Sequence, residues 1–364
     1  MKLVTSPRAC RINGTEVPAE SRRVVSEVTC GEWLKMAGRL RVSSLRSWER
    51  PYYGQDLAAK TLWTWRGSGF GDALVLSAVL NDIQRRWPTA RVVMSTPYPE
   101  TLRPLMGAGE PDGDLAFDII GDVLDFDAWR AFDFHRPVEE IVEWDQEPDQ
   151  TDIYATHYRY FGLATCEQFT PSNRPANVVT AKARQLAADW ATRTAVDPRC
   201  ILYQMAASSD IRSQSEAAAY ACMAAIRDAF GLPVVAVGGG RSRTAATPAG
   251  VVRLIGEDPR ITIGLTSTAA AVVTPDSMLN HVCAGLGPRS PPVVSLWSAF
   301  RPEDRVASYP NQHPIFAEAD CAPCRAHDGG RAPAEMGCPL HGGFCRSLAT
   351  IAPEAVVRKL RGVL

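Results

Sequence analysis

Residues 61–72 read TLWTWRGSGFGD, and apolar residues with helical spacing continue from Asp72 to Trp87. The run 61–65 has the composition of a strand, the glycines that follow favour a loop, and Pro88 ends the helix. A strand, a glycine-rich loop and a helix in this order are typical of a βα unit, whose loop lies at the carboxyl end of the strand. The apolar stripe of the helix consists of Leu74, Val75, Ala78, Val79 and Ile83.

The chemistry of this loop depends on Asp72. Glycines let a ligand approach the backbone closely, and the start of a helix favours a negative charge nearby. The spacing of the glycines departs from the G-x-G-x-x-G fingerprint of dinucleotide-binding proteins. Asp72 is therefore either a functional carboxylate or the N-cap of the helix that follows.

The alternation of strands and helices extends along the chain and restarts once, after a segment of linker composition at 170–175 (TPSNRP). Predicted strands are 91–95, 117–120, 200–205, 233–237, 270–274 and 292–297, and predicted helices are 99–106, 153–163, 213–230 and 277–286. Two such halves imply two parallel sheets covered by helices, with a ligand cleft at the carboxyl ends of the strands. We expect a closing helix, 353–364, to pack across both halves.

The composition limits the class of protein. The chain has 364 residues, 46% hydrophobic and 22% charged, which suits two or three globular domains and not a disordered, fibrous or membrane protein. No apolar run approaches the roughly 18 residues that a membrane span needs. The N-terminal residues MKLVTSPRACRING lack the apolar core of a secretory signal. We therefore expect a cytoplasmic protein.

Residues 1–55 are predicted to form a small β-rich module ahead of the first half, because short β-type runs surround an Asn-Gly turn signal. The first 66 residues carry twelve Lys or Arg and six Asp or Glu, whereas the whole chain carries 39 and 40. This basic front indicates either a polyanionic acceptor or partner, or an ordinary solvated face.

A second candidate site occupies residues 274–281, which read TPDSMLNH. A strand ends there, and Asp276 and Ser277 open a helix whose first N–H groups are suited to a phosphate. His281 follows near the first turn. The alternative is that Asp276 and Ser277 are capping residues and His281 is structural.

Together these segments resemble the lipopolysaccharide heptosyltransferase family, glycosyltransferase family 9, over roughly residues 60–360. The family pattern G-x-G-D is similar to residues 69–72, and its D-[ST]-G-x-x-H block is similar to 276–281, with Met278 where the family usually has Gly. A family strand that leads to a Lys is similar to 203–212, with Arg212 in place of that Lys. The closing P-x-V-x-L-[WF] strand is similar to 292–297.

The resemblance implies a GT-B fold, in which two Rossmann-like domains, 56–175 for the acceptor and 176–364 for the donor, face a cleft. It implies inverting transfer of a heptose-like sugar or a hexose from a nucleotide-diphosphate sugar to a hydroxyl of a protein or glycan, with Asp72 as general base and no catalytic metal. The alternatives are a phage-type enzyme that acts on modified DNA bases and a non-catalytic nucleotide-sugar-binding module; the oligomeric state is open. The implied donor-binding residues are Gly71, Ser208, Arg212, Gly238, Gly239, Asp276, Ser277, Met278 and His281.

Four of the ten cysteines are bunched between 321 and 345, with the spacing C-x2-C-x13-C-x6-C. Such a set is typical of a tetrahedral zinc or iron site, with loose thiols or disulfides as the alternative. His327 and His341 are candidate substitute ligands. The block 338–345 resembles the cysteine finger of bacterial autotransporter heptosyltransferases, which also carry a small domain ahead of the first Rossmann half. We expect a structural metal held by Cys321, Cys324, Cys338 and Cys345.

Overall fold

In the computed structural model of the chain, the described residues are 2–5, 10–12, 15–17, 22–25, 41–44, 56–65, 69–96, 98–121, 129–132, 153–161, 163, 170–238, 247–323, 338 and 343–364. The first five ranges are the strands β1 (Lys2–Thr5), β2 (Cys10–Ile12), β3 (Thr15–Val17), β4 (Arg22–Val25) and β5 (Arg41–Ser44). β1 pairs antiparallel with β4 and with β5, and β2 pairs with β3. We call residues 1–55 the front module. Its described part is built of strands, as its sequence predicts.

The first half contains a parallel sheet of four strands in the order β8-β7-β6-β9. Its strands are β6 (Thr61–Trp65), β7 (Arg91–Ser95), β8 (Asp118–Ile120) and β9 (Trp129–Phe132). Its helices are α1 (Phe70–Arg86), α2 (Pro99–Leu105) and α3 (Ile153–Tyr160). Leu62, Trp63 and Thr64 are buried in succession. Because neighbouring side chains of a strand point to opposite faces, both faces of β6 are covered.

The second half contains a parallel sheet of six strands in the order β12-β11-β10-β13-β14-β15. Its strands are β10 (Ile201–Gln204), β11 (Val234–Gly238), β12 (Val251–Ile255), β13 (Ala271–Pro275), β14 (Val293–Trp297) and β15 (Ile315–Phe316). Its helices are α4 (Ala181–Thr194), α5 (Glu216–Phe230), α6 (Pro259–Leu265), α7 (Met278–Gly285), α8 (Glu303–Val306), α9 (Arg346–Ala349) and α10 (Pro353–Arg361). The two parallel sheets confirm the predicted pair of Rossmann-like units.

The two halves are in contact through α1 and α7, which pack against each other. A continuous hydrophobic cluster runs from Leu57 in the first half to Tyr309 in the second and includes Leu279 and Val282 of α7. Burial of this surface holds the halves together, since apolar area removed from water contributes about 25 cal/mol per Å².

The linker is an extended segment, residues 170–180, that is fastened to the first half by backbone N–H groups. Asp82 Oδ2 accepts from the N–H of Ser172 at 2.8 Å, and Ser77 Oγ accepts from the N–H of Ala176 at 2.8 Å. Both acceptors are buried side chains of α1. An extended segment has no internal ladder of hydrogen bonds, so these side chains satisfy its backbone and fix its course.

Several elements differ from the sequence prediction. α5 begins at Glu216 rather than 213, because residues 210–212 form a separate 3₁₀ turn and the Ser215 hydroxyl caps α5 by accepting from the N–H of Ala218. α4, α6, β9 and β12 were not predicted. α4 buries a stripe made largely of alanine, and the other three are too short for their periodicity to be read.

The expectation that the closing helix packs across both halves is wrong. Val356 and Leu360 of α10 are fully buried in a second cluster that lies within the second half, against α5 and β14. The helix therefore completes the outer face of the second sheet. No helix in the described part of the chain is long and apolar enough to cross a membrane.

Candidate functional site

The candidate residues lie at the switch points of the two sheets. In the second sheet the chain proceeds from β10 to β11 and β12 on one side, and from β13 to β14 and β15 on the other. The loops after β10 and β13 therefore separate and leave a crevice, where ligands of such sheets bind. Ser208 and Arg212 follow β10, and Asp276 and Ser277 follow β13. In the first sheet Gly69 and α1 follow β6 in the chain, and β6 is the strand at which the order also reverses.

The helices that follow these loops meet at their first turns. A Cβ atom added to Gly71 of α1 would lie 3.2 Å from Cδ2 of His281 and 3.5 Å from Cα of Met278, both in α7. This spacing favours glycine at position 71, because an added side chain would oblige the His281 ring to shift by a few tenths of an ångström. The positive ends of two helix dipoles therefore point into one region, which favours an anion there.

Asp72 lies in the first turn of α1, one residue beyond this contact. The N-cap of α1 is Gly69, with φ of 85°, so the N-cap alternative for Asp72 is wrong. The Asp72 side chain is half-buried, and its carboxylate interacts electrostatically with His281. The fold therefore places a carboxylate from the first half beside the start of α7 in the second half.

Arg212 and Asp276 join the two loops of the second sheet. Arg212 Nη1 lies 3.4 Å from Asp276 Oδ2, and the two side chains are 15% and 11% exposed. Arg212 also donates from Nη2 to Ser208 Oγ at 2.5 Å and from Nε to Ser209 Oγ at 3.2 Å. These bonds hold the guanidinium in a fixed orientation at the crevice. Arg212 ends the 3₁₀ turn 210–212.

Ser277 is the N-cap residue of α7, as predicted, but its hydroxyl has a different partner. Among the described residues, Ser277 Oγ accepts from Gln204 Nε2 at 2.8 Å instead of capping its own helix. Gln204 Oε1 in turn accepts from Thr274 Oγ1 at 2.9 Å. The Gln204 side chain thus ties the start of α7 to β10. The first amides of α7 face the crevice without a cap from the Ser277 hydroxyl.

His281 lies beneath the start of α7 and is 7% exposed. Burial lowers the pKa of His281 to about 4, against the opposing effect of the Asp276 and Asp72 carboxylates, while the guanidiniums of Arg305 and Arg212 lower it further. Its Nδ1 lies 2.6 Å from Oη of Tyr309. The imidazole is therefore neutral at neutral pH, and Tyr309 is its hydrogen-bond partner among the described side chains.

The remaining predicted donor residues surround the same crevice. Ser208 is exposed, and Gly238 ends β11 next to β10. No described atom lies within 4 Å of the position that a Cβ of Gly238 would take. Met278 is half-buried and packs against the main hydrophobic cluster. Gly239 lies outside the described residues.

Sequence reasoning missed three residues of this region: Gln204, Arg305 and Tyr309. Gln204 had a usable signal, a polar residue at the carboxyl end of a buried strand. Arg305 lies after β14 with its guanidinium 3.9 Å from the ring centre of Phe300. Tyr309 follows α8, where no motif marks it.

Cys345, the last of the four bunched cysteines, borders the loop that carries Arg212. The N–H of Cys345 donates to the carbonyls of Asp210 at 3.0 Å and Ser213 at 3.3 Å. Cys321 Sγ lies 2.9 Å from Oγ of Ser347, two residues beyond Cys345. The N–H of Cys338 donates to the carbonyl of Gly343 at 2.8 Å.

The described cysteines, Cys321, Cys338 and Cys345 among them, form no disulfide with one another. Within the described residues no group of three His, Cys, Asp or Glu side chains is assembled for a metal. Cys324, His327 and His341 lie outside the described residues, so the predicted four-cysteine set stays a prediction.

No protein-family model and no curated protein matches the sequence. Solved structures match the fold. A glycosyl transferase family 9 protein from Veillonella parvula has a TM-score of 0.53 at 11% identity, over 85% of this chain and 98% of that chain. The E. coli ADP-heptose lps heptosyltransferase II has a TM-score of 0.54 at 16% identity, over 84% of this chain and 98% of that chain.

The iron-containing dodecameric heptosyltransferase TibC of enterotoxigenic E. coli, in complex with ADP-D-β-D-heptose, gives a TM-score of 0.59 at 11% identity, over 100% of this chain and 90% of that chain. The chain therefore has the GT-B fold of the family 9 glycosyltransferases, which confirms the resemblance at the level of the fold. The TibC match also includes the front module.

The buried imidazole predicts a pH dependence of stability. The pKa of His281 is about 4 in the folded chain and about 6.5 when exposed, so below pH 6.5 the unfolded chain binds a proton that the folded chain does not. The free energy of unfolding should therefore fall as the pH is lowered from 6.5 to about 4, by up to about 3 kcal/mol more than in a His281→Gln variant. Urea unfolding at several pH values measures this difference. Parallel pH profiles of the two proteins would contradict it.

Proposed function

We propose that this chain is an inverting glycosyltransferase that moves a sugar from a nucleoside-diphosphate sugar to an acceptor hydroxyl. The observation that supports this most directly is the contact between Gly71 and His281, which brings the carboxylate of Asp72 to the start of α7. A general base from one half and an anion site from the other are thereby adjacent. Transfer between two bound substrates needs such an arrangement.

The diphosphate of the donor binds at the crevice of the second sheet in this proposal. Its negative charge is met by the first amides of α7, at Ser277 and Met278, and by Arg212. Asp276 holds Arg212 in place, and Ser208 and Gly238 line the approach. His281 supports the first turn of α7 from below. Gly239 lies outside the described residues and stays a predicted donor residue.

The reaction proceeds by direct displacement. Asp72 takes the proton of the acceptor hydroxyl, the oxygen attacks the anomeric carbon, and the bond to the nucleoside diphosphate breaks as that group leaves with the electron pair. Arg212 and the α7 amides stabilise the charge that develops on the leaving diphosphate. A neutral His281 favours this chemistry, because an imidazolium beside Asp72 would make its carboxylate a weaker base.

An assay with a panel of donors and acceptors can identify both substrates of the proposed reaction. The solved structure of TibC contains ADP-D-β-D-heptose, so ADP-sugars are the first donors to test. The proposed acceptor is a hydroxyl of a protein or glycan in the cytoplasm. The basic front module favours including DNA with modified bases in the acceptor panel. A chain that binds nucleotide sugars but releases no nucleoside diphosphate with any acceptor would be a binding module instead.

Asp72→Asn should lower the turnover number by at least about a hundredfold, because the amide cannot accept the acceptor proton. Release of nucleoside diphosphate measures turnover, and calorimetry should give an unchanged Kd for the nucleoside diphosphate. Glu100→Gln is a matched control, because Glu100 is an exposed carboxylate in the first turn of α2. Turnover of Asp72→Asn within threefold of the native protein would rule Asp72 out as the base.

Arg212→Ala should weaken nucleoside-diphosphate binding by about tenfold or more, because a charge-assisted hydrogen bond to phosphate is lost. Titration calorimetry with ADP, GDP, UDP and CDP measures this change. Arg193→Ala is the control, since Arg193 is an exposed arginine paired with Glu257 in the same half. Equal diphosphate affinities for the Arg212→Ala variant and the native protein would place the donor elsewhere.

We also propose a structural zinc or iron ion held by Cys321, Cys324, Cys338 and Cys345. The three described thiols are free of disulfides to one another, and Cys321 and Cys338 both have contacts in the segment 343–347 next to Cys345. Four thiolates suit either metal, and TibC is described as iron-containing. The ion supplies cross-linking and takes no part in the transfer step.

Purified protein should contain about one zinc or iron per chain by elemental analysis. Cys345→Ser should release the metal and weaken nucleoside-diphosphate binding, because the backbone of Cys345 supports both ends of the turn that presents Arg212. Cys222→Ala, which alters a buried thiol of α5, should keep the metal. A metal-free preparation that is fully stable and active would remove the metal from this proposal.

A further inference from the structure

Three side chains form a hydrogen-bonded series across the contact between the halves. Tyr154 of α3 places its Oη 2.8 Å from Oη of Tyr309, and Tyr309 places the same atom 2.6 Å from Nδ1 of His281. Tyr154 is fully buried, Tyr309 is 6% exposed and His281 is 7% exposed. α3 belongs to the first half, whereas Tyr309 and His281 belong to the second. We call this series the Tyr-Tyr-His brace.

The brace closes a ring of contacts around the start of α1. The far side of the His281 ring lies against Gly71, where an added Cβ would be 3.2 Å from Cδ2. Gly71 is in α1, and α1 packs on α3, which carries Tyr154. The four contacts therefore connect α3, the turn at Tyr309, α7 and α1 in succession. A shift of any one of these elements strains the other three.

The brace fixes relative position rather than charge. The aromatic rings meet edge to face, with centroids 5.9 Å apart for Tyr154 and Tyr309 and 5.6 Å apart for His281 and Tyr309. Hydrogen bonds between buried groups have a narrow range of allowed distances, and a buried polar group that loses its partner is costly. When Tyr154 donates to Tyr309 and Tyr309 donates to Nδ1 of His281, each of the three groups has a partner within the series. The two hydrogen bonds therefore restrict the relative movement of the two halves at this contact.

We propose that Tyr309 and Tyr154 are positioning residues of the transfer reaction, which hold the Asp72 turn of α1 in register with the donor site at the start of α7. This inference rests on the proposed function. Neither tyrosine takes a proton from the acceptor. Both act through His281, whose ring separates the first turns of α1 and α7. A misplacement of about 1 Å between reacting groups is enough to cost roughly a hundredfold in rate.

Tyr309→Phe and Tyr154→Phe test the brace, because each keeps its ring and removes one hydroxyl. Two quantities are measured well below the Tm of each variant. The first is hydrogen exchange of the amides at 73–76, which make the first hydrogen bonds within α1. The second is the kcat of transfer with its KM for the donor. In Tyr309→Phe we expect amide exchange at 73–76 to be faster by about tenfold or more and kcat to be lower by about tenfold or more. The KM for the donor should stay within threefold of the native value.

Tyr158→Phe is the matched control. Tyr158 is a buried tyrosine of α3, the helix that also carries Tyr154. Its hydroxyl donates to Asp82 at 2.5 Å instead of joining the brace. This variant should keep native exchange at 73–76 and native kcat, even where its Tm falls. If Tyr309→Phe behaves like Tyr158→Phe in both measurements, the brace is overturned.

Two further outcomes separate this inference from the proposed function. Faster exchange at 73–76 with unchanged kcat in both brace variants would overturn the positioning role and leave a structural contact. If the native protein transfers no sugar from any donor of the panel, the proposed function fails. Exchange at 73–76 then decides alone whether the brace fixes α1, and native exchange in Tyr309→Phe overturns it.

Discussion

The close approach of Gly71 to the His281 ring determines how the first turns of α1 and α7 meet. A Cβ added to Gly71 would lie only 3.2 Å from Cδ2 of His281. Glycine therefore lets α1 of the first half and α7 of the second half touch at their first turns. Each helix starts from the carboxyl end of a central strand, β6 or β13. The contact therefore joins the ligand edges of two separate sheets. The hydrophobic cluster behind it, which reaches from Leu57 to Tyr309, makes the arrangement stable.

Charges of both signs surround this contact. Among the described residues, the carboxylates of Asp72 and Asp276 and the guanidiniums of Arg212 and Arg305 act electrostatically on His281. In a partly buried region an uncompensated charge is costly, so a neutral imidazole at the centre is the favoured state. A diphosphate that enters adds negative charge on the side of Arg212 and the α7 amides. In the proposed function, that side of the contact is the one that receives the anion.

The loop that presents Arg212 is supported from several sides. Ser208, Ser209 and Asp276 bond the guanidinium itself. The backbone of Cys345 bonds the carbonyls on both sides of the 3₁₀ turn. Because Cys345 reaches the loop of Arg212 in this way, a residue late in the chain is coupled to the candidate donor site. We expect that loss of the Cys345 contacts would lower the affinity for the donor.

The sequence alone predicted the two βα halves, because buried parallel strands and amphipathic helices carry strong periodic signals and glycine marks the loops between them. Residues 69–72 and 276–281 were likewise readable as candidate site segments, since each follows a strand and opens a helix. Short elements such as α6 escaped prediction, and α10 was placed wrongly, because amphipathicity shows that a face is buried but not against what. The tertiary structure decided that Gly71 touches His281, that Gly69 rather than Asp72 caps α1, and that Tyr154 reaches Tyr309. These contacts join residues far apart in the chain, and a local pattern carries no information about the distance between them.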